Sequence, residues 1–168
     1  MNKKIINVLF ICFIGLFLLS AVSAEDEVQT NDNITDSYQI TSDLSNDDIQ
    51  GMFDNANEGD TFEFTDDEYK NISLVVNKKL NIVSNKNSVV YSNGQISQRA
   101  NAMGITDTFG FYFTSNSCGS ILSGIKLIAS NSDYGVIVDS SDKTIITDNV
   151  IAGGINSVLV KNAKGVDI

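Results

Sequence analysis

Few groups in this chain are equipped for chemistry. Histidine is absent and Arg99 is the single arginine. The densest charge is an acidic knot, Asp66-Asp67-Glu68, with Asp60 and Glu63 close by. Carboxylates grouped in this way can take up Ca²⁺, which makes Asp66, Asp67 and Glu68 the candidate metal ligands. Their spacing lacks the regular alternation of a calcium loop, so a solvated acidic turn is the competing reading. Asp133, Asp139, Asp142 and Asp148 fall in separate segments and form no ligand signature. No residue is assigned a catalytic role. Cys118 has no histidine to activate it and reads as a packed or solvent-facing thiol. Tyrosine offers a different chemistry, because its ring can stack on a sugar face. Tyr91, Tyr112 and Tyr134, together with Arg99, are the candidate ligand-binding residues; Tyr69 belongs with them if all four line one side. Tyr112 lies between Phe111 and Phe113, so alternation points it outward. The bland alternative is that these are ordinary surface or turn tyrosines.

A repeat must position these groups. GVIVDSSDKTIITDNVI, from Gly135 to Ile151, is answered 22 residues later by SVLVKNAKGVDI, from Ser157 to Ile168. Upstream, GFYFTSNSCGSILSGIKL, from Gly110 to Leu127, fits the same template with one extra residue near Cys118. Phe111, Val136 and Val158 then share a column, as do Phe113, Val138 and Val160. Leu122, Ile146 and Ile168 form a third column, and Leu127 with Ile151 a fourth. Short alternating apolar runs at this period, broken by Asn, Ser, Asp and Gly, predict stacked β-coils. Asp139 should stack on Lys161, and Asp142 on Lys164, at about 4.8 Å between neighbouring strands. Such exposed pairs are worth about 0–1 kcal/mol each and set register more than stability. The same register turns Ile121 and Ile145 outward.

The ends and the charge complete the organisation. Residues 1–24 combine Lys3 and Lys4, an apolar run from Ile5 to Leu19, and the small-residue site Val22-Ser23-Ala24. A cleaved secretory signal peptide is expected, with a retained anchor as the alternative. Its removal leaves nine basic and 21 acidic residues, a net charge of −12. That charge disfavours nucleic acid and anionic membrane as partners. No membrane span is expected after signal cleavage. Residues 25–43 read as an acidic flexible leader. Residues 44–168 form the remaining domain, which opens with a cap helix over 45–58. Ser45 is its N-cap, Asp48 the reciprocal partner, and Leu44 with Ile49 a hydrophobic staple. Ile49, Met52, Phe53 and Ala56 share its apolar face, and Gly59 is the expected stop. Strands are expected at 61–64, 72–76, 80–83 and 89–91, then a long loop from Ser92 to Thr108. Asn33-Ile34-Thr35 and Asn71-Ile72-Ser73 fit the N-glycan acceptor pattern.

Three passages carry a family resemblance: LSNDDIQGMFDNANEGDTFEF (Leu44–Phe64), NISLVVNKKLNIVSN (Asn71–Asn85) and the Gly135–Ile151 repeat. Together they make the chain resemble the pectate-lyase-like right-handed parallel β-helix proteins. It is most similar to the adhesin-like surface proteins of methanogenic archaea. The expected fold is all-β, a right-handed single-stranded parallel β-helix or solenoid with an N-terminal capping α-helix. It is C-terminally incomplete, because Ile168 falls within a repeat. The resemblance implies an exported protein, secreted or at the cell surface. Its partners would be extracellular polysaccharide or another cell surface, met through a contact face and without catalysis. The open last coil adds self-association as a further expectation. The alternative that the resemblance implies is a polysaccharide lyase or hydrolase. That reading needs a cationic base, such as Arg99 or a lysine like Lys126 or Lys161, beside the 92–108 loop. Asn149 holds a turn position where such families stack asparagines, but Ile125 is its upstream equivalent.

Overall fold

A computed structural model describes residues 35–168. The signal segment, residues 25–34 of the leader and the Asn33 acceptor site lie outside the described residues. Among the described residues, thirteen strands and two short α-helices follow one another. They are β1 (Ser37–Ile40), α1 (Asn46–Asn55), β2 (Thr61–Phe64), β3 (Glu68–Ile72), β4 (Leu74–Val76), β5 (Asn81–Val83) and β6 (Val89–Ser92). Next come α2 (Gln98–Ala102), β7 (Phe109–Phe113), β8 (Ile121–Ser123), β9 (Lys126–Ile128), β10 (Tyr134–Asp139), β11 (Ile145–Thr147), β12 (Val150–Ala152) and β13 (Asn156–Lys161). They build three parallel sheets: sheet A in the order β1-β2-β5-β8-β11, sheet B as β3-β6-β9-β12 and sheet C as β4-β7-β10-β13. From β2 onward successive strands belong to A, B and C in rotation, so strands three apart in chain order pair with each other.

The paired residues are those of the sequence columns. Val136 faces Phe111 on one side and Val158 on the other, and Val138 likewise faces Phe113 and Val160. Ile146 pairs with Leu122, and Ile151 with Leu127. Inward positions of all three sheets meet in one apolar cluster, among them Phe62, Phe64, Leu74, Val90, Phe111, Leu127 and Val136. Outward Ile121 and Ile145 are half-buried, and Ile145 bridges to Asp167 as the register requires. Gly135 leads its repeat for a packing reason. A Cβ there would lie 2.5 Å from the Ile151 side chain and 2.6 Å from the Ser157 carbonyl oxygen.

Three expectations need correction. First, the leader is not flexible throughout, because Ser37–Ile40 is β1, in parallel register with β2. Tyr38 and Ile40, two apart, stack above Phe62 and Phe64, with the Tyr38 and Phe62 rings 4.9 Å apart. Two aspartates pin the strand: Asp36 N–H donates to Asp60 and Ser42 N–H to Asp66. Second, the cap helix is shorter than expected. The Ser45–Asp48 capping box is present, but the helix runs only to Asn55 and ends on extended Ala56, not at Gly59. Third, the 92–108 interval is not loop alone. It contains α2, capped by Ser97, whose Ala100 is fully buried.

α2 explains why every residue of β7 is buried. A second apolar cluster, with Val75, Ala100, Phe109, Tyr112 and Ile137, fills the outer side of sheet C beneath the helix. Strands covered on both faces read as continuous apolar runs, as FGFYF and GVIV do. α1 packs, as α2 does, against the edge strand β4 of that sheet. Its Gln50 side chain donates to the Val75 carbonyl (3.0 Å) and accepts from the Val75 N–H (2.8 Å), taking the place of a neighbouring strand. Asn46 accepts from the Ser73 N–H.

Candidate functional site

The outer face of sheet B carries a groove. Val90 and Leu127 point inward in β6 and β9, so Tyr91 and its ladder neighbour Ile128 point out. Beside them, Glu68 and Lys70 of β3 are exposed. The register of β3 against β6 shifts between Tyr69 and Ile72. Asn71 sits at this irregularity in the left-handed region, φ 61°, where asparagine is better tolerated than most residues. A bulge re-aims side chains; here Lys70 and Asn71 both line the groove.

The groove has two adjoining hollows. The first, 480 Å³, is walled by Tyr91 and Ile128 and rimmed by Asn71, Asn93 and Asn131 with Ser92 and Ser130. The second, 470 Å³, shares Glu68, Lys70 and Asn71 and continues toward Ser42, Leu44, Ser45 and Asn46 at the start of α1. The rim at Asn93 and Asn131 is built by stacked turns. Ser92 and Ser132 hydroxyls are 2.6 Å apart. A Cβ on Gly94, φ +65°, would lie 2.1 Å from the Asn131 carbonyl oxygen, so glycine alone permits that approach. The Lys70 ammonium lies 2.8 Å from Glu68 Oε1. The hydrogen bond from Lys70 to Glu68, and then the charge of Glu68, hold the Lys70 pKa above its ordinary value. The groove therefore offers one aromatic face, an aliphatic neighbour, several amides and hydroxyls, and a self-neutralised ion pair. That set can bind a polyhydroxylated ligand by stacking and hydrogen bonding.

Of the candidates from sequence, Tyr91, 38% exposed, and Glu68 stand in this groove. Tyr112 points away from the main core as expected, yet it is only 6% exposed because α2 covers it. Its hydroxyl donates to Asp139 Oδ2 at 2.6 Å. Lys161 Nζ lies 3.3 Å from the same oxygen and 5.6 Å from the Tyr112 ring centre. Burial and then the hydrogen bond to Asp139 push the Tyr112 pKa far up. Burial raises the Asp139 carboxyl, but hydrogen bonds from Tyr112, Lys161 and Ser140 outweigh it and leave its pKa below the usual value. Tyr134 is half-buried against the same outer cluster. Tyr69 is buried, with its hydroxyl donating to the Ile40 carbonyl. The four tyrosines thus do not line one side. Arg99 sits on α2, 3.3 Å from Asp54 at the end of α1, and not in the groove.

The acidic knot is dispersed among separate tasks. Asp60 is fully buried and accepts from the N–H groups of Asp36 and Asn57. Glu63 accepts from Asn85, and Asp66 from Ser42 N–H, whose hydrogen bond lowers the Asp66 pKa. Among the described residues, no three His, Cys, Asp or Glu side chains converge to hold a metal ion. Asp142 faces the next circuit as aligned, but it accepts from the Lys164 backbone N–H at 2.8 Å instead of pairing with the ammonium. Cys118 is exposed. Lys70, Asn93 and Asn131 were not among the sequence candidates, and Asn71 figured only in an N-glycan acceptor pattern; the signal of the asparagines was a recurrence of Asn, Ser and Gly at strand ends, which looks like turn punctuation. No family model, no curated protein and no solved structure matches the chain.

Proposed function

We propose that the chain is a right-handed parallel β-helix of the pectate-lyase-like, adhesin-like kind. In this reading it is exported to the cell surface or secreted, and binds extracellular polysaccharide without cleaving it. The rotation of successive strands through three parallel sheets supports the winding. The observation that carries the function is the exposed Tyr91 in a groove crossing β3, β6 and β9. A groove running across strands suits an extended chain, whose successive units meet successive strands about 4.8 Å apart. Many weak contacts then add along a polymer.

Binding is favoured over the lytic alternative by the position of Arg99. It is engaged with Asp54 beside sheet C, while the groove lies on sheet B. Self-association belongs to the same proposal: Val150, Ile155 and Ile168, in or near the last strands, are 58%, 77% and 69% exposed. The test is affinity electrophoresis through gels holding soluble polysaccharides, with an assay for released reducing or unsaturated ends. Retardation without product is expected. Tyr91→Ala should weaken it about tenfold, equivalent to about 1.4 kcal/mol. Product release, or retardation indifferent to Tyr91, would overturn the reading.

A further inference from the structure

The groove's charge can be read separately from its shape. Lys70 is the one cation and Glu68 the one anion lining its two hollows, among the described residues. At 2.8 Å they neutralise each other, although both stay largely exposed, at 73% and 47%. Lys126 of β9 lies in the ladder of Glu68 and Val89, two strands away and roughly 10 Å off. Asp67, exposed just before Glu68, tilts the near end further toward negative. The whole chain carries −10.

An anionic polymer brings a carboxylate or sulfate with each unit. Held in this groove it would lie against Glu68 with no unpaired cation to meet it, inside the field of an acidic protein. A neutral sugar suffers no such repulsion. Its vicinal hydroxyls can donate to Glu68 and accept from Lys70, and charge-assisted hydrogen bonds of this sort are the stronger ones. We infer that the groove selects an uncharged glycan, and that Glu68 sets this selectivity by occupying Lys70. The inference rests on the groove being a glycan site, as proposed above.

The experiment measures dissociation constants of the full chain for cellohexaose, mannohexaose and hexagalacturonate in about 20 mM salt, a level at which exposed charges are poorly screened. Wild-type protein, Glu68→Gln and Tyr91→Ala are compared. Both sites are exposed, and circular dichroism serves to check that the variants fold. At least one neutral hexamer should bind wild type more tightly than hexagalacturonate. Glu68→Gln should tighten hexagalacturonate binding by about tenfold through the freed Lys70, and the gain should shrink as ~0.5 M salt shortens the screening length. Tyr91-dependent binding that favours hexagalacturonate in wild type, or an unchanged preference in Glu68→Gln, overturns the charge inference and leaves the groove reading standing. If no hexamer of either kind binds in a Tyr91-dependent manner, the groove reading itself fails.

Discussion

Tyr112, Asp139 and Lys161 sit on three successive strands of sheet C and share one carboxylate oxygen. Tyr112→Phe keeps the ring beneath α2 and removes a hydrogen bond to a charged group, so unfolding at neutral pH should become easier by on the order of 1.5 kcal/mol. The pH dependence has two limbs. Asp139 has a lowered folded pKa, so its contribution is present above the ordinary aspartate value of about 3.9 and is lost as pH falls below it. Tyr112 has a raised folded pKa, so its contribution is intact below the ordinary tyrosine value of about 10 and fades as pH climbs beyond it. Thermal melts should therefore show the wild-type advantage over Tyr112→Phe narrowing below pH ~4 and above pH ~10. An advantage flat across that range would contradict the assignment. The Asp139–Lys161 pairing was legible in the repeat, because columns 22 residues apart become neighbours. The burial of Tyr112 was not, since the five-residue helix covering it presents only Ala100 to the cluster and leaves no periodic trace.

At the scale of the element, α1 shows what a capping helix contributes beyond apolar cover. Ile49 and Phe53 pack on the core, while Gln50 on the same side completes the hydrogen bonding of Val75. Gln50→Ala would leave a buried N–H and carbonyl without partners. Denaturant unfolding should register a loss of about 2–4 kcal/mol, against about 0.5 kcal/mol or less for the exposed control Gln39→Ala. Equal effects at the two positions would sink this account of the helix. The capping box and apolar face were visible in LSNDDIQGMF, because capping follows local rules. The strand-like role of Gln50 was hidden, since it depends on which strand the helix lies against. β1 was hidden for the opposite reason: Tyr38 and Ile40 alternate correctly, but they stand among acids and amides whose local preference is for coil. Pairing with β2 overrides that preference.

Across the described residues as a whole, each inward column is a stack of side chains from strands three apart in chain order. This spreads the core along the direction in which strands succeed one another. The outer faces are then free to differ. Sheet C is roofed by α2, sheet A carries half-buried isoleucines, and sheet B is open with Tyr91, Ile128 and the amide rim. The stacking was legible because periodicity is written in consecutive residues. The face that would carry a ligand was not, since it depends on where the 92–108 segment settles. No helix among the described residues is long and apolar enough to cross a membrane. The measurement that bears most directly on the central claim is a backbone-amide NMR titration of the full chain with cellohexaose and mannohexaose. Shift changes should centre on Lys70, Asn71, Tyr91 and Asn131, with little movement at Tyr112 or Tyr134. Changes centred on sheet C, or none with either sugar at millimolar concentration, would contradict that claim.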